Sequence, residues 1–335
     1  MSKFVVIGSG ALGSALANVI RDAGHENVCI VGIDQAELAD LARGRNSKYF
    51  GPDLILPRFQ TTTDLKLALA DADYIVLAVP SSALAALLPL MSQALARPTL
   101  IINGCKGFYP GQLVSVHTGI EAIFQNHSLV RGCVSIVGPS FAQDLARRTL
   151  TMICAVNRAW PLVAEVQKLL TTPYFKLCGQ TDVVGAEVGG IYKNILAIGA
   201  GLLTARGHTS NTLAAFLTRG LEEMQTFNRF MGGRPETIYG LTGLGDLILT
   251  ATDRKSRNFS FGLDYGSQVR AQPFESASST IEGVRALEVV EQLRTAHNLH
   301  LPIGAALYQI VCQQAPVEPT LVAAWADHCP DQETN

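Results

Sequence analysis

Apolar residues along this chain fall into two rhythms. Up to about residue 180, short β-branched runs alternate with helical stretches: "KFVVIG", "NVCIVGI", "ADYIVLAVP", "TLIINGC", "CVSIVGPS", "LTMICAV" and "FKLCG". These runs are apolar throughout, not at every second position, which is the pattern of strands covered on both faces. They predict a largely parallel sheet flanked by helices. From Asp182 on, strand-like runs stop and helical segments follow one another: Val183 to Arg206, Asn211 to Met231, "TIEGVRALEVVEQLRTAHN" and a last stretch around "GAALYQIVCQQA". The expectation is an α/β N-terminal domain over 1–181 and an all-α C-terminal domain over 182–335. The tail "HCPDQETN" is expected to fray.

One helix breaks its own rule. Between Val183 and Leu203 the only formal charges are Glu187 and Lys193, so the segment is apolar on nearly every side and the fold should bury it. A buried ammonium must be paired, neutralised or put to use. Glu187 cannot easily serve as its partner, because residues six apart lie on different faces of a helix. Two readings stay open: a salt-bridged or snorkelling structural lysine, and a proton-transfer group whose pKa burial and a neighbouring cation would lower.

"VVIGSGALGSALANVIRDAG" places Gly8, Gly10 and Gly13 in G-x-G-x-x-G spacing after a strand and before an amphipathic helix. In that context Gly8 allows the tight turn, Gly10 lets the backbone approach a pyrophosphate, and Gly13 lets helix pack close on strand. The first domain is therefore expected to be of Rossmann type and to bind a dinucleotide. The second strand ends at Asp34, which either accepts hydrogen bonds from the adenosine ribose, favouring NAD, or caps the helix "QAELADLAR". Both can hold at once. Arg43 or Arg45 downstream could still swing toward a 2′-phosphate.

Other polar residues fall where strands should end: Pro80 and Ser81, Lys106 between Gly104 and Gly107, and Ser140. In open α/β sheets ligands collect at those carboxyl ends. In the second half "DRKSRN" sets Arg254, Lys255 and Arg257 beside Ser256 and Asn258. A guanidinium fork with neutral donors suits a phosphomonoester, and the apolar "GLGDLILTAT" before it argues for a site at the domain junction. Asp246 is expected to orient a lysine or a substrate hydroxyl. Gly189 and Gly190, each costing about 1 kcal/mol in a helix relative to Ala, are expected where backbone and cofactor approach closely.

Composition narrows the partners. The net charge is −2 with 16% charged residues, so no general attraction to nucleic acid or an anionic membrane is expected. The seven cysteines form no C-x-x-C pair, and the histidines and carboxylates offer no ligand set, so neither disulfides nor a metal are expected. No signal peptide is read in "MSKFVVIGSG", and no apolar stretch is expected to reach the roughly 20 residues of a membrane span. A cytoplasmic enzyme acting on a small molecule fits these readings.

"GSGALG", "AVPS", "CKG", "GPSFA", "GGIYKNILAIGAG", "GLGDLILTATDRKSRN" and "EGVR", in this order from residue 8 to residue 285, resemble the bacterial NAD(P)-dependent glycerol-3-phosphate dehydrogenases. The resemblance implies interconversion of dihydroxyacetone phosphate and sn-glycerol 3-phosphate for phospholipid synthesis, in a subunit that is often a homodimer. It implies Lys193 as proton acceptor, with Lys106 and Asp246 beside it in catalysis. Substrate would meet Lys106, Gly138, Ser140, Lys193, Asp246, Ser256, Arg257 and Asn258. Cofactor would meet Gly8, Gly10, Ala11, Leu12, Gly13, Asp34, Lys106, Ala142, Arg257 and Glu282. The chain departs from the family at Leu12, where an aromatic residue is common, and at Ile33, where a basic residue or histidine is frequent. With Asp34 present, Ile33 makes NAD(H) the favoured cofactor over NADP(H). Rival readings are a β-hydroxyacid dehydrogenase with a lysine base, which would need no cluster like "KSRN", and a non-catalytic nucleotide sensor, which would need no Lys106, Lys193 and Asp246.

Overall fold

Every apolar run of the first half forms a strand in the computed structural model, which describes residues 2–267 and 281–326. In chain order the strands are β1 (Phe4–Ile7), β2 (Val28–Val31), β3 (Gln60–Thr62), β4 (Tyr74–Leu77), β5 (Thr99–Asn103), β6 (Val130–Val137), β7 (Thr151–Val156) and β8 (Phe175–Gln180). They form one sheet ordered β3-β2-β1-β4-β5-β6-β7-β8. All neighbours are parallel except β6 and β7, which run antiparallel. The short β3 was not foreseen. Its "QTT" carries no apolar signal because it is the edge strand and is only partly covered.

Each central strand is buried along its whole length, and its successive side chains alternate between the two faces, as a doubly covered sheet requires. Phe4, Val6, Ile30, Val76 and Ile102 enter one apolar cluster, while Val5, Ile7, Val31, Ile75 and Ile101 enter the other. Because both faces are covered, polar chemistry is displaced to the strand ends. Growth of the sheet reverses between β1 and β4, and the loops leaving β1, β4, β5 and β6 emerge at one edge.

Contacts divide the chain into two units, Met1–Val183 and Val184–Asn335. The second is helical, with helices Val183–Ala205, Ser210–Met231, Asp246–Thr252, Arg257–Ser267, Glu282–His297, Pro302–Gln313 and Val317–Ala326. Asp246–Thr252, Arg257–Ser267 and Val317–Ala326 are helices that the sequence pattern does not announce. The expected frayed tail, with Cys329, lies outside the described residues.

The expectation that no stretch is apolar and long enough for a membrane needs correcting. Helix Val183–Ala205 meets that criterion by length and composition, because its glycines and its single Lys193 dilute the apolar character too little. Within the structure 89% of its most apolar window is buried by protein. Three consecutive polar residues, Tyr192, Lys193 and Asn194, project from it about 100° apart. Each therefore meets a different element: Tyr192 the helix Ser210–Met231, Lys193 the helix Asp246–Thr252, and Asn194 the starts of Arg257–Ser267 and Glu282–His297.

Candidate functional site

The glycine loop leads from β1 into α1 (Ala11–Asp22). Gly8 has φ +122°, and a Cβ there would lie 2.4 Å from the Ala78 carbonyl oxygen that follows β4. A Cβ on Gly13 would fall 1.9 Å from the Gly8 carbonyl, so neither position accepts a side chain. Gly10 differs: a Cβ there would meet nothing nearer than the Tyr49 hydroxyl at 3.8 Å. It is the N-cap of α1 and offers no side chain to the helix's first amides. Those donors and the open space at Gly10 make a cradle for a pyrophosphate, which is the fit a dinucleotide requires. Leu12 is half-buried and packs toward Gly104 at the end of β5.

Behind the loop stands a polar brace that the sequence reading did not pick out. Asn46 is buried and donates from Nδ2 to the Ser9 carbonyl at 2.9 Å and to Ser14 Oγ at 2.7 Å. Glu37, in the first turn of α2 (Gln35–Ala42), accepts from Ser9 Oγ at 2.6 Å, from Lys48 Nζ at 2.6 Å and from the Tyr49 hydroxyl at 2.9 Å. Burial alone would raise its pKa, but these three donors outweigh burial and hold it below the ordinary carboxylate value. Asp34 does cap α2, its Oδ1 accepting from the amides of Ala36 and Glu37 at 2.9 and 3.2 Å. Its Oδ2 points to Lys48 Nζ at 3.3 Å. The backbone bond from Glu37 and the Lys48 ammonium lower the Asp34 pKa. Ile33 beside it is 98% exposed. Arg43 turns instead to Asp40, at 3.6 Å.

At the ends of β5 and β6 three expected residues meet. Lys106 Nζ donates to the Gly138 carbonyl at 3.2 Å, and Ser140 Oγ donates to the same oxygen at 3.3 Å. Ala142 opens the short helix Ala142–Ala146 and packs, with Ala11 and Leu12, against the same apolar cluster.

In the helical unit Lys193 is buried, and its Nζ donates to Asp246 Oδ1 at 2.7 Å and to Thr250 Oγ1 at 2.8 Å. The carboxylate answers the buried ammonium, so the charge is paired as its burial demands. A π-helical turn, Leu241–Gly245, leads into Asp246. A Cβ on Gly189 would lie 2.3 Å from the Thr242 carbonyl in that turn. The close approach expected there is thus one of backbone on backbone, sufficient without a cofactor to require glycine.

The neighbouring Asn194 builds a second group. Asn258 Nδ2 donates to Asn194 Oδ1 at 2.9 Å, the Gly283 amide donates to Asn258 Oδ1 at 2.9 Å, and Asn194 Nδ2 reaches Glu282 Oε2 at 3.4 Å. Arg257 Nη2 lies 3.6 Å from Glu282 Oε1 with its side chain 68% exposed. Ser256 is buried and accepts from the Phe259 amide, so within "DRKSRN" the neutral donors face inward and Arg254, Lys255 and Arg257 outward. Among the described residues no cluster of three or more His, Cys, Asp or Glu side chains could hold a metal ion.

Two family models cover these units: the one described as NAD-dependent glycerol-3-phosphate dehydrogenase N-terminus matches residues 3–159, and its C-terminal counterpart matches residues 182–322. The chain belongs to the NAD-dependent glycerol-3-phosphate dehydrogenase family. It is similar to the glycerol-3-phosphate dehydrogenase [NAD(P)+] of Mycoplasma mobile, 44% identical over 97% of this chain and 96% of that one. The Bacillus thuringiensis protein of the same name is 36% identical over 93% and 92%. Among solved structures, the glycerol-3-phosphate dehydrogenase of Coxiella burnetii matches with a TM-score of 0.86 and 28% identity, covering 97% of this chain and 98% of that one. A 3-hydroxyisobutyrate dehydrogenase of Mycobacterium tuberculosis, at 15% identity and a TM-score of 0.52, shares the fold alone. Membership in the glycerol-3-phosphate dehydrogenase family makes the chain an NAD(P)-dependent oxidoreductase acting on a CH–OH group.

Proposed function

We propose that this chain reduces dihydroxyacetone phosphate to sn-glycerol 3-phosphate and catalyses the reverse oxidation, with NADH preferred over NADPH. The observation that carries the reading is the buried Lys193–Asp246–Thr250 group, in a chain that also holds an open glycine cradle. When bound, the nicotinamide cofactor supplies or takes up a hydride at the substrate's secondary carbon. The cradle at Gly8, Gly10, Ala11, Leu12 and Gly13 would hold its pyrophosphate, and Asp34 Oδ2, which the cap leaves with acceptor capacity, would hold the adenosine ribose.

The chain's own task is then the proton. Lys193 Nζ gives a proton to the carbonyl oxygen as an alcohol forms, and takes one from the hydroxyl in the other direction. Asp246 balances the ammonium, and Thr250 helps fix the direction of its N–H donors. Lys106, Ser140 and the Gly138 backbone supply polar groups at the strand ends. Arg257 is assigned to the phosphate, which its exposed guanidinium can grip as a fork, while the inward-facing Ser256 and Asn258 hold the helix start that presents it. The NADH preference rests on Asp34, whose charge repels a 2′-phosphate, and on Ile33, which offers no donor. A homodimeric, cytoplasmic enzyme serving phospholipid synthesis is supported by the family resemblance.

Replacing Lys193 tests the reading. Lys193→Ala is expected to lower kcat by about 100-fold or more, the scale of losing a general acid or base, while the nucleotide still binds. A variant turning over at the wild-type rate would remove Lys193 from the chemistry.

A further inference from the structure

The ribose subsite holds a cation that no motif marks. Lys48 lies in α3 (Ser47–Phe50), and its Nζ stands between two carboxylates, 2.6 Å from Glu37 Oε1 and 3.3 Å from Asp34 Oδ2. The two contacts are unequal in kind as well as in length. Glu37 has a side chain only 7% exposed and is tied through Ser9 to the glycine loop, so it is a fixed anchor. Asp34 is 39% exposed and Lys48 itself 59%, so the longer contact faces solvent and can be exchanged at low cost.

That geometry bears on how a 2′-phosphate is received. A ribose diol donates to Asp34 and needs no cation. A 2′-phosphate adds negative charge beside Asp34 and Glu37, while Ile33 offers it no donor and Arg43 is turned toward Asp40. Lys48 is the cation already in place. We propose that Lys48 is the specificity-determining residue for the 2′-phosphate: it stays anchored on Glu37, leaves Asp34, and pairs with the phosphate, so that NADPH is tolerated in a site whose carboxylates favour NADH. The inference rests on the dinucleotide-binding reading above and goes beyond it, since the sequence offers only Arg43 and Arg45 for this task. Lys48 is also firmly protonated, because its bonds to Glu37 and then Asp34 raise its pKa well above the ordinary lysine value. It therefore carries its charge at every pH at which the enzyme would work.

Binding of two probes that need no turnover separates the possibilities. Adenosine 2′,5′-bisphosphate and 5′-AMP would be titrated calorimetrically into the wild type, Lys48→Met and Lys48→Arg. Lys48→Met is expected to weaken the bisphosphate about tenfold more than 5′-AMP, the scale of one charge-assisted hydrogen bond at a half-exposed site. Lys48→Arg should recover most of that loss. The ratio of kcat/KM for NADPH to that for NADH should fall in parallel with Lys48→Met. Equal weakening of both probes would make Lys48 a structural strut, and no weakening of either would make it a bystander; each result overturns the proposal, as does a wild type that binds neither probe. A chain that binds both probes with the expected Lys48 dependence, yet fails to reduce dihydroxyacetone phosphate, would instead overturn the dehydrogenase reading and leave the Lys48 assignment standing.

Discussion

Lys193 is tolerable in an apolar helix because a carboxylate fifty-three positions away answers it. Asp246 is itself 1% exposed, so the pair is buried on both sides. Breaking a buried ion pair by removing one partner costs about 3–5 kcal/mol, whereas replacing both by apolar residues is often close to neutral. Asp246→Ala should therefore lower unfolding stability by about 3 kcal/mol in chemical denaturation. Asp246→Leu combined with Lys193→Met should recover most of the loss while remaining inactive. If the single variant were as stable as the wild type, the ion pair would not be what keeps Lys193 inside. These two residues were legible in sequence because a charge in an apolar run stands out and "GLGDL" is apolar on both sides of its aspartate. Thr250 and Asn194 were not, since a neutral polar residue in a helix looks alike whether it faces water or a buried lysine. Lys48 and Glu37 were hidden for a related reason: each reads as part of an ordinary solvated helix until the fold brings them together behind Ser9.

Among the elements, the strands were legible wherever both faces are covered, and the polar edge strand β3 was lost because it lacks that cover. The helices were legible in order but not in number. Between Met231 and Ser267 the chain turns through short helices and a π-helical turn whose packing is set by backbone contacts such as Gly189 against Thr242, and these leave little apolar periodicity. In the first unit, α2 and α3 are joined to the glycine loop through Glu37, which makes that joint sensitive to acid. Glu37 is held below its ordinary pKa of 4.5 by Lys48, Ser9 and Tyr49 in spite of burial. A carboxylate whose folded pKa is depressed stabilises the fold above its unfolded value, and that contribution is lost as pH falls through the folded one. Glu37→Gln should thus melt below the wild type at neutral pH by an amount corresponding to about 1 kcal/mol, the net value of a typical hydrogen bond. The gap should close as pH drops below 4.5 toward the folded value. Thermal melts of both proteins across that range check it, and a gap independent of pH would mean that the Glu37 charge contributes nothing.

For the whole molecule, the division of labour is legible from the change of rhythm near residue 180: a sheet that presents backbone cradles at its strand ends, and a helical unit that keeps its polar groups in buried pairs. What the rhythm does not contain is the substrate. The phosphate assignment depends on "KSRN", where Ser256 and Asn258 are committed to helix starts and to Asn194 while Arg257 stays exposed. The most direct test is a spectrophotometric comparison of NADH oxidation by the full chain with dihydroxyacetone phosphate and with dihydroxyacetone. Hydrogen bonds to charged groups contribute about 1.5–3 kcal/mol, so kcat/KM should be at least about tenfold higher for the phosphorylated ketone. Equal efficiency with both ketones, or oxidation only with a β-ketoacid, would contradict the account.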